Sequence, residues 1–192
     1  MSNTRTLIAS LSENDLRVKV LIPLLRALGC MKVEDWQGNQ ENGVDIYFAC
    51  KDVLGSVHHC AVFIKVGDIT KSGKNDIRKY EGQLREAFLS KFTNPLDGSN
   101  LISAGLVYVA YNGVMNKPAK DYFRETLESQ NPGRIRSLDI DAISYMIDVE
   151  LRARAGWPPE YVFTIDSFAG VCNKFHSKPY DFLSVPKEGA SL

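Results

Sequence analysis

An aspartate and a lysine stand on two stretches whose alternation of apolar residues predicts neighbouring strands. One is Gln40-Glu41-Asn42-Gly43-Val44-Asp45-Ile46-Tyr47-Phe48; the other is Ala61-Val62-Phe63-Ile64-Lys65-Val66-Gly67-Asp68. Successive side chains on a strand alternate between faces. Val44, Ile46 and Phe48 therefore share a face, with Asp45 on the other. Val62, Ile64 and Val66 likewise share a face, with Phe63 and Lys65 on the other. A turn centred near Gly55 sets Asp45 opposite Lys65 and Tyr47 opposite Phe63. A carboxylate beside an ammonium on the exposed face of a sheet suits metal-assisted hydrolysis of a phosphodiester. The first holds a divalent cation, and the second orients or deprotonates water. The same two side chains also fit a purely structural ion pair.

The elements that must position them are legible from caps and periods. Ser12 and Asp15 resemble a capping box. Leu16, Val20, Leu21, Leu24, Leu25 and Leu28 follow as an apolar stripe at helical spacing. Pro23 predicts a kink in that helix, and Gly29 predicts its end. Met31 to Trp36 reads as a short strand, and Gly38-Asn39-Gln40 as a turn. After Asp68 the period changes: Ile77, Tyr80, Leu84, Phe88 and Phe92 mark a second helix, broken by Asn94-Pro95-Leu96-Asp97-Gly98. Leu106 to Ala110 is a near-continuous apolar run, as expected of a buried inner strand. Pro118 opens a third helix, with Tyr122, Phe123 and Leu127 inward. Asn131-Pro132-Gly133 turns into a strand from Arg134 to Leu138. Asp139 or Asp141 then caps a fourth helix carrying Ile143, Met146, Ile147 and Leu151. Tyr161 to Ile165 fits an added strand. A meander followed by helical crossovers predicts an α/β sandwich with a mixed central sheet.

Composition narrows the function classes. A chain of 192 residues, 44% of them apolar, is long enough for one domain with a core. No apolar run is long enough to span a bilayer. Met1 to Thr6 lacks a signal-peptide h-region, so the chain reads as soluble and cytoplasmic. Cys30, Cys50, Cys60 and Cys172 lack CxxC spacing and read as reduced, mostly buried thiols. A formal net charge of zero counts against holding DNA by bulk electrostatics. Local basic surfaces remain: Lys65, Lys71, Lys74, Arg78 and Lys79, or Arg134 and Arg136, each of which also fits a solvated face. His58-His59-Cys60 is a poor zinc site, because adjacent histidines on a strand face opposite ways and no second cluster completes a tetrahedral shell. Phosphate-loop and nucleophile-elbow motifs are absent. Trp36, Tyr47 and Phe63 fit either base stacking or cross-strand packing.

With Asp45 and Lys65 on adjacent strands of the meander, this order resembles the PD-(D/E)xK, or restriction-endonuclease-like, nuclease superfamily, and within it the Mrr-type prokaryotic defence nucleases. Leu24-Leu25-Arg26-Ala27-Leu28-Gly29 is similar to the end of the family's first helix. Glu41-Asn42-Gly43-Val44-Asp45-Ile46 looks like its acidic strand entry, and Val62-Phe63-Ile64-Lys65-Val66-Gly67-Asp68-Ile69 like its strand ending in lysine. Val114 to Lys120 and Arg136 to Ile143 fit its late crossover and closing strand-helix. The resemblance covers Asp15 to Arg154. It implies a restriction-endonuclease-like three-layer α/β/α sandwich over 1–156, with 157–192 a C-terminal extension or linker.

The resemblance further implies a DNA endonuclease using Mg2+ or Mn2+, of the kind that serves as an antiphage effector. Asp45, Lys65 and Glu41 would be catalytic. Asp45, the Ile64 backbone carbonyl and Glu13 would ligate the metal. Lys71, Lys74, Arg78 and Gln83 would contact nucleic acid. DNA is the implied partner; a protein partner, a larger multidomain chain and a homo-oligomer are all compatible, and no membrane is implied. One departure stands out. The family places Glu, Asp or Gln two residues before the lysine, and here that residue is Phe63, which cannot ligate a metal. Glu13 and Glu81 are candidates for a ligand moved to another element. Two readings follow: an active nuclease, or a catalytically silent nuclease-fold module that binds a protein or nucleic acid.

Overall fold

Apolar residues on both faces of the inner strands demand cover on both sides, and helices supply it. The computed structural model describes residues 3–37, 43–52, 54–89, 91–94, 96–98 and 101–152, with positions 164, 165, 168, 170 and 172. Helix α1 (Asn3–Ala9) has no counterpart in the expected order. It is too short to be stable alone and is held by tertiary contacts. Ile8 is buried, Thr4 donates to Asp148 and Arg5 pairs with Asp141.

Helix α2 runs through Glu13–Asp15, a wider π-type turn Leu16–Leu21, and Ile22–Ala27. Ser12 caps it by accepting the Asp15 N–H at 3.1 Å. Pro23 lacks an N–H, and its ring crowds the carbonyl four residues back. The chain answers with the widened turn just ahead, where the Ile22 N–H reaches back to the Arg17 carbonyl. Gly29, at φ 87°, ends the helix as expected.

Strands β1 (Met31–Asp35), β2 (Ile46–Lys51) and β3 (Val57–Lys65) form the antiparallel meander. A 3-10 turn (Ile77–Lys79) leads into α3 (Tyr80–Leu89). Strands β4 (Phe92–Thr93) and β5 (Leu101–Ile102) pair as a small separate hairpin. Phe92, expected on the helix, lies instead in this hairpin. Its ring packs edge-on against Trp36 and Tyr47, and that aromatic contact takes it off the helical period. Strand β6 (Leu106–Tyr111) lies parallel to β3. Helix α4 (Lys117–Tyr122, continuing Phe123–Glu128) crosses to β7 (Ile135–Leu138), parallel to β6. Helix α5 (Ile140–Tyr145, continuing Met146–Leu151) is capped by Asp139, which accepts the Ala142 N–H at 2.9 Å.

The main sheet has the order β1-β2-β3-β6-β7. One face sets Ile46, Phe48, Val62 and Ile64 against Leu16, Val20 and Leu24 of α2 and Ile143 and Ile147 of α5. The other sets Ala61, Phe63, Val107 and Val109 against Leu84 of α3 and Phe123 and Leu127 of α4. This is a three-layer α/β/α sandwich around a mixed sheet. Phe168 and Cys172, from the extension expected over 157–192, are buried in the first core. Of the strand expected over Tyr161 to Ile165, residues 161–163 lie outside the described residues and Ile165 is helical.

Two expectations about the meander are corrected. The observed pairs are Ile46 with Val62, Tyr47 with Ala61 and Lys51 with Val57, and the Asp45 N–H donates to the Val62 carbonyl, so Asp45 does not stand opposite Lys65. The turn centres on Leu54 rather than Gly55, and moving a turn centre by one residue shifts every pair by two. Asp52 fixes that centre: its carboxylate accepts the N–H groups of Leu54 and Ser56, both at 2.9 Å. The face expected to be exposed is also covered. Tyr47 is 0% and Phe63 2% exposed, and Val44 packs with Phe63 rather than with Ile46.

Candidate functional site

Asp45 sits where the β2–β3 ladder gives out. Gly43 turns the chain at φ 70°, a conformation only glycine adopts freely. The Asp45 N–H then donates to the Val62 carbonyl at 2.9 Å. Its side chain takes the place of the next strand partner: Oδ2 accepts the Ile64 N–H at 2.7 Å. The carboxylate is thus fixed to the peptide immediately before Lys65. Asp45 is 9% exposed. Burial holds its carboxyl above the usual carboxylate range, and the Glu13 charge pushes the same way. The Ile64 N–H and the positive charges of Lys65 and Arg17 pull against it.

Lys65 makes no ion pair with Asp45. Its Nζ lies over the Tyr80 ring, 5.4 Å from the centroid. Glu13, in the first turn of α2, acts electrostatically on both Asp45 and Tyr80, so it shares this neighbourhood. Arg17 is 4% exposed. It pairs with Asp35 at 3.1 Å and donates through Nη2 to Asn14 at 2.9 Å, while its Nη1 is buried without a partner. Sequence reasoning passed over Arg17 and Tyr80. Arg17 carried a readable signal: its spacing to Val20, Leu21 and Leu24 places a charge on the buried stripe of α2, and buried charges need a reason.

The other expected site residues are dispersed. Glu41 lies outside the described residues. Glu81 accepts the Tyr122 hydroxyl at 2.7 Å and stands near Arg85. Lys71 is placed over the Tyr122 ring, 5.6 Å from its centroid, and Lys74 is exposed. Arg78 is engaged: it forks onto Asp76, with Nη2 at 2.5 Å from Oδ2. Gln83 turns inward, with its Oε1 buried and without a hydrogen-bond partner. Of the second basic pair, Arg134 donates to the Ala104 and Gly105 carbonyls and covers Phe88. The aromatic residues pack on one another: Trp36 and Tyr47 stack at 4.9 Å. His58 and His59 diverge, to Asp52 and to the Tyr47 hydroxyl.

Among the described residues, no three His, Cys, Asp or Glu side chains gather as a metal cluster. The donors that Asp45, Glu13 and the nearby backbone offer are all oxygens. That set suits a hard cation that keeps several waters, as magnesium does, and not zinc.

The fold and this site define a three-layer α/β/α domain with an acidic residue and a lysine at the end of the meander. The chain is similar to the MspJI restriction endonuclease, solved in complex with a 27-mer oligonucleotide, at 12% identity and a TM-score of 0.37. The match covers 79% of this chain and 29% of that one. No protein-family model and no curated protein matches the chain. No helix among the described residues is long and apolar enough to cross a membrane.

Proposed function

We propose that this chain is a metal-dependent DNA endonuclease domain, acting as the effector of a prokaryotic antiphage system. The observation that carries the reading is the unit Asp45–Ile64–Lys65: a carboxylate hydrogen-bonded to the N–H of the residue before the lysine, with no ion pair between the two charges. Asp45 and Glu13 would hold magnesium or manganese together with the Ile64 carbonyl. When bound, the cation supplies Lewis acidity toward the phosphoryl oxygens. Lys65 sets positive charge beside the phosphate, where negative charge grows in the transition state. The Ile64 N–H keeps the Asp45 carboxylate aimed, and Lys71 and Lys74 would offer further contacts to nucleic acid.

The test is cleavage of plasmid and linear DNA over a range of magnesium and manganese concentrations. Asp45→Asn and Lys65→Met should each lower the rate by about 100-fold or more while the proteins stay folded, on the scale of losing one transition-state contact. Intact DNA with the wild-type chain under all those conditions refutes the enzyme reading for these substrates. One observation favours the second reading, a silent module that binds nucleic acid or a protein. Phe63, two residues before Lys65, is buried in the second core and adds no oxygen to the site.

A further inference from the structure

Gln83 is a polar side chain turned into the interior. It lies on α3, and its carboxamide Oε1 is buried with no hydrogen-bond partner. Buried carbonyl oxygens in folded proteins are nearly always bonded, and an orphan calls for an explanation. Its surroundings supply one. A Cβ built on Gly43 would stand 3.3 Å from Phe63 Cε1 and 3.5 Å from Gln83 Cγ. Gly43 precedes Asp45 by two residues, and Phe63 precedes Lys65 by two. Gln83 therefore stands beside the chain segment that delivers the carboxylate, where the Phe63 ring also closes in.

A hard cation held by Asp45 needs further oxygen donors. Phe63, two residues before Lys65, offers a ring and no oxygen. Gln83, which reaches the same Gly43 position, offers an amide oxygen that no described residue uses. We infer that Gln83 supplies, from α3, the neutral oxygen donor of the divalent-cation site that Phe63 cannot supply from β3. The ligand class is a hard divalent cation, magnesium or manganese. An amide oxygen serves such ions as a neutral ligand and brings no further negative charge beside Asp45 and Glu13. The inward turn of Gln83 follows from this role, whereas a phosphate contact would need an outward donor.

This inference rests on the proposed metal-dependent reading, and the experiment separates the two. Manganese binding to the full chain is measured by titration calorimetry for the wild type, Asp45→Asn, Gln83→Leu and Gln83→Glu, with urea unfolding of each in parallel. Gln83→Leu should weaken manganese binding by about 10- to 100-fold, the range for supporting residues of a metal site. Its urea midpoint should not fall, because an unpartnered polar atom has been removed from a buried position. Gln83→Glu, which keeps an oxygen in place, should bind manganese at least as tightly as the wild type. Wild-type affinity in Gln83→Leu, alongside weakened binding in Asp45→Asn, overturns the role of Gln83 and leaves the nuclease reading standing. A wild-type chain that binds no manganese, or binds it independently of Asp45, overturns both. If Gln83→Leu is destabilised enough to blur the result, Gln83→Glu decides: manganese binding weaker than that of the wild type overturns the role.

Discussion

Asn112 holds together the three segments that deliver Lys65, and its replacement by aspartate tests that directly. Asn112 is 3% exposed. Its Oδ1 accepts the Gly67 N–H at 2.7 Å, two residues past Lys65. Its Nδ2 donates to the Leu11 carbonyl at 2.9 Å and the Ile8 carbonyl at 3.2 Å, at the end of α1 and the approach to α2. Asn112→Asp preserves shape and keeps the bond from Gly67, but it turns the donating end into an acceptor facing two carbonyl oxygens. The new carboxyl can remain only by taking a proton, which from an ordinary pKa of 3.9 costs about 4 kcal/mol at pH 7. One O–H then serves one carbonyl and leaves the other unpaired, for about 1–3 kcal/mol more. The sum, about 5–7 kcal/mol, rivals the whole stability of an ordinary domain. The folded-state pKa of the new group is raised, so the penalty is least below the unfolded pKa and grows as pH rises. Urea unfolding of wild type and variant at pH 4.5 and 7.5 should show a gap that widens at the higher pH. A gap under about 1 kcal/mol at pH 7.5, or one that does not change with pH, would refute the buried three-way anchor.

Three further outcomes follow from the packing. Phe63→Glu should lower stability by about 3–5 kcal/mol or more in urea, the range for emptying a buried Phe site; an unchanged midpoint means the ring is not packed in the core. Gly113→Ala sets a Cβ 2.4 Å from Gly67 C and 2.6 Å from the Asp68 nitrogen, backbone atoms that cannot swing aside. A loss of about 1–3 kcal/mol in thermal unfolding is expected, with displacement of the β3 end that carries Lys65. Arg78 holds the buried Asp76 carboxyl down at about 2. Because the folded pKa lies below the unfolded value of about 3.9, the stability it gives is present above about pH 4 and is lost as pH falls toward 2. Asp76→Asn should flatten that part of the acid unfolding curve, and an unaltered curve would count against the pair.

What the sequence disclosed was local, and what it withheld was set by packing. Ser12 and Asp139 announce their helices because cap chemistry involves residues three apart. Leu106 to Ala110 announces an inner strand because both its faces are apolar. The β2–β3 register was not readable in the same way. Gly55, at φ 86°, looks like the turn centre, but the geometry is fixed by the Asp52 side chain, three residues earlier. Helix α1 was invisible because seven residues whose buried positions are Thr4 and Ile8 carry too short an apolar pattern to show a period. The departure at Phe63 was plain in the sequence. That its ring would be sealed beneath α3, with Gln83 alongside, depended on a helix whose placement no local pattern encodes.

The two-residue offset in register matters for the proposed chemistry. Directly opposed across the strands, a carboxylate and an ammonium would pair with each other, and a neutralised lysine has little charge left for a phosphate. In the observed structure the Asp45 N–H bonds the Val62 carbonyl, and its carboxylate finds its partner in the Ile64 N–H. Lys65, one peptide further along, is left over the face of Tyr80, a contact that steadies the ammonium without cancelling its charge. Carboxylate and ammonium are therefore fixed in relation to one another through a single backbone unit, close enough to influence each other's field and apart enough to engage different ligands. An ion pair used only for stability would bring the charges together. This arrangement holds them apart where β2 begins and β3 ends, as the proposed site for a cation and a phosphate requires.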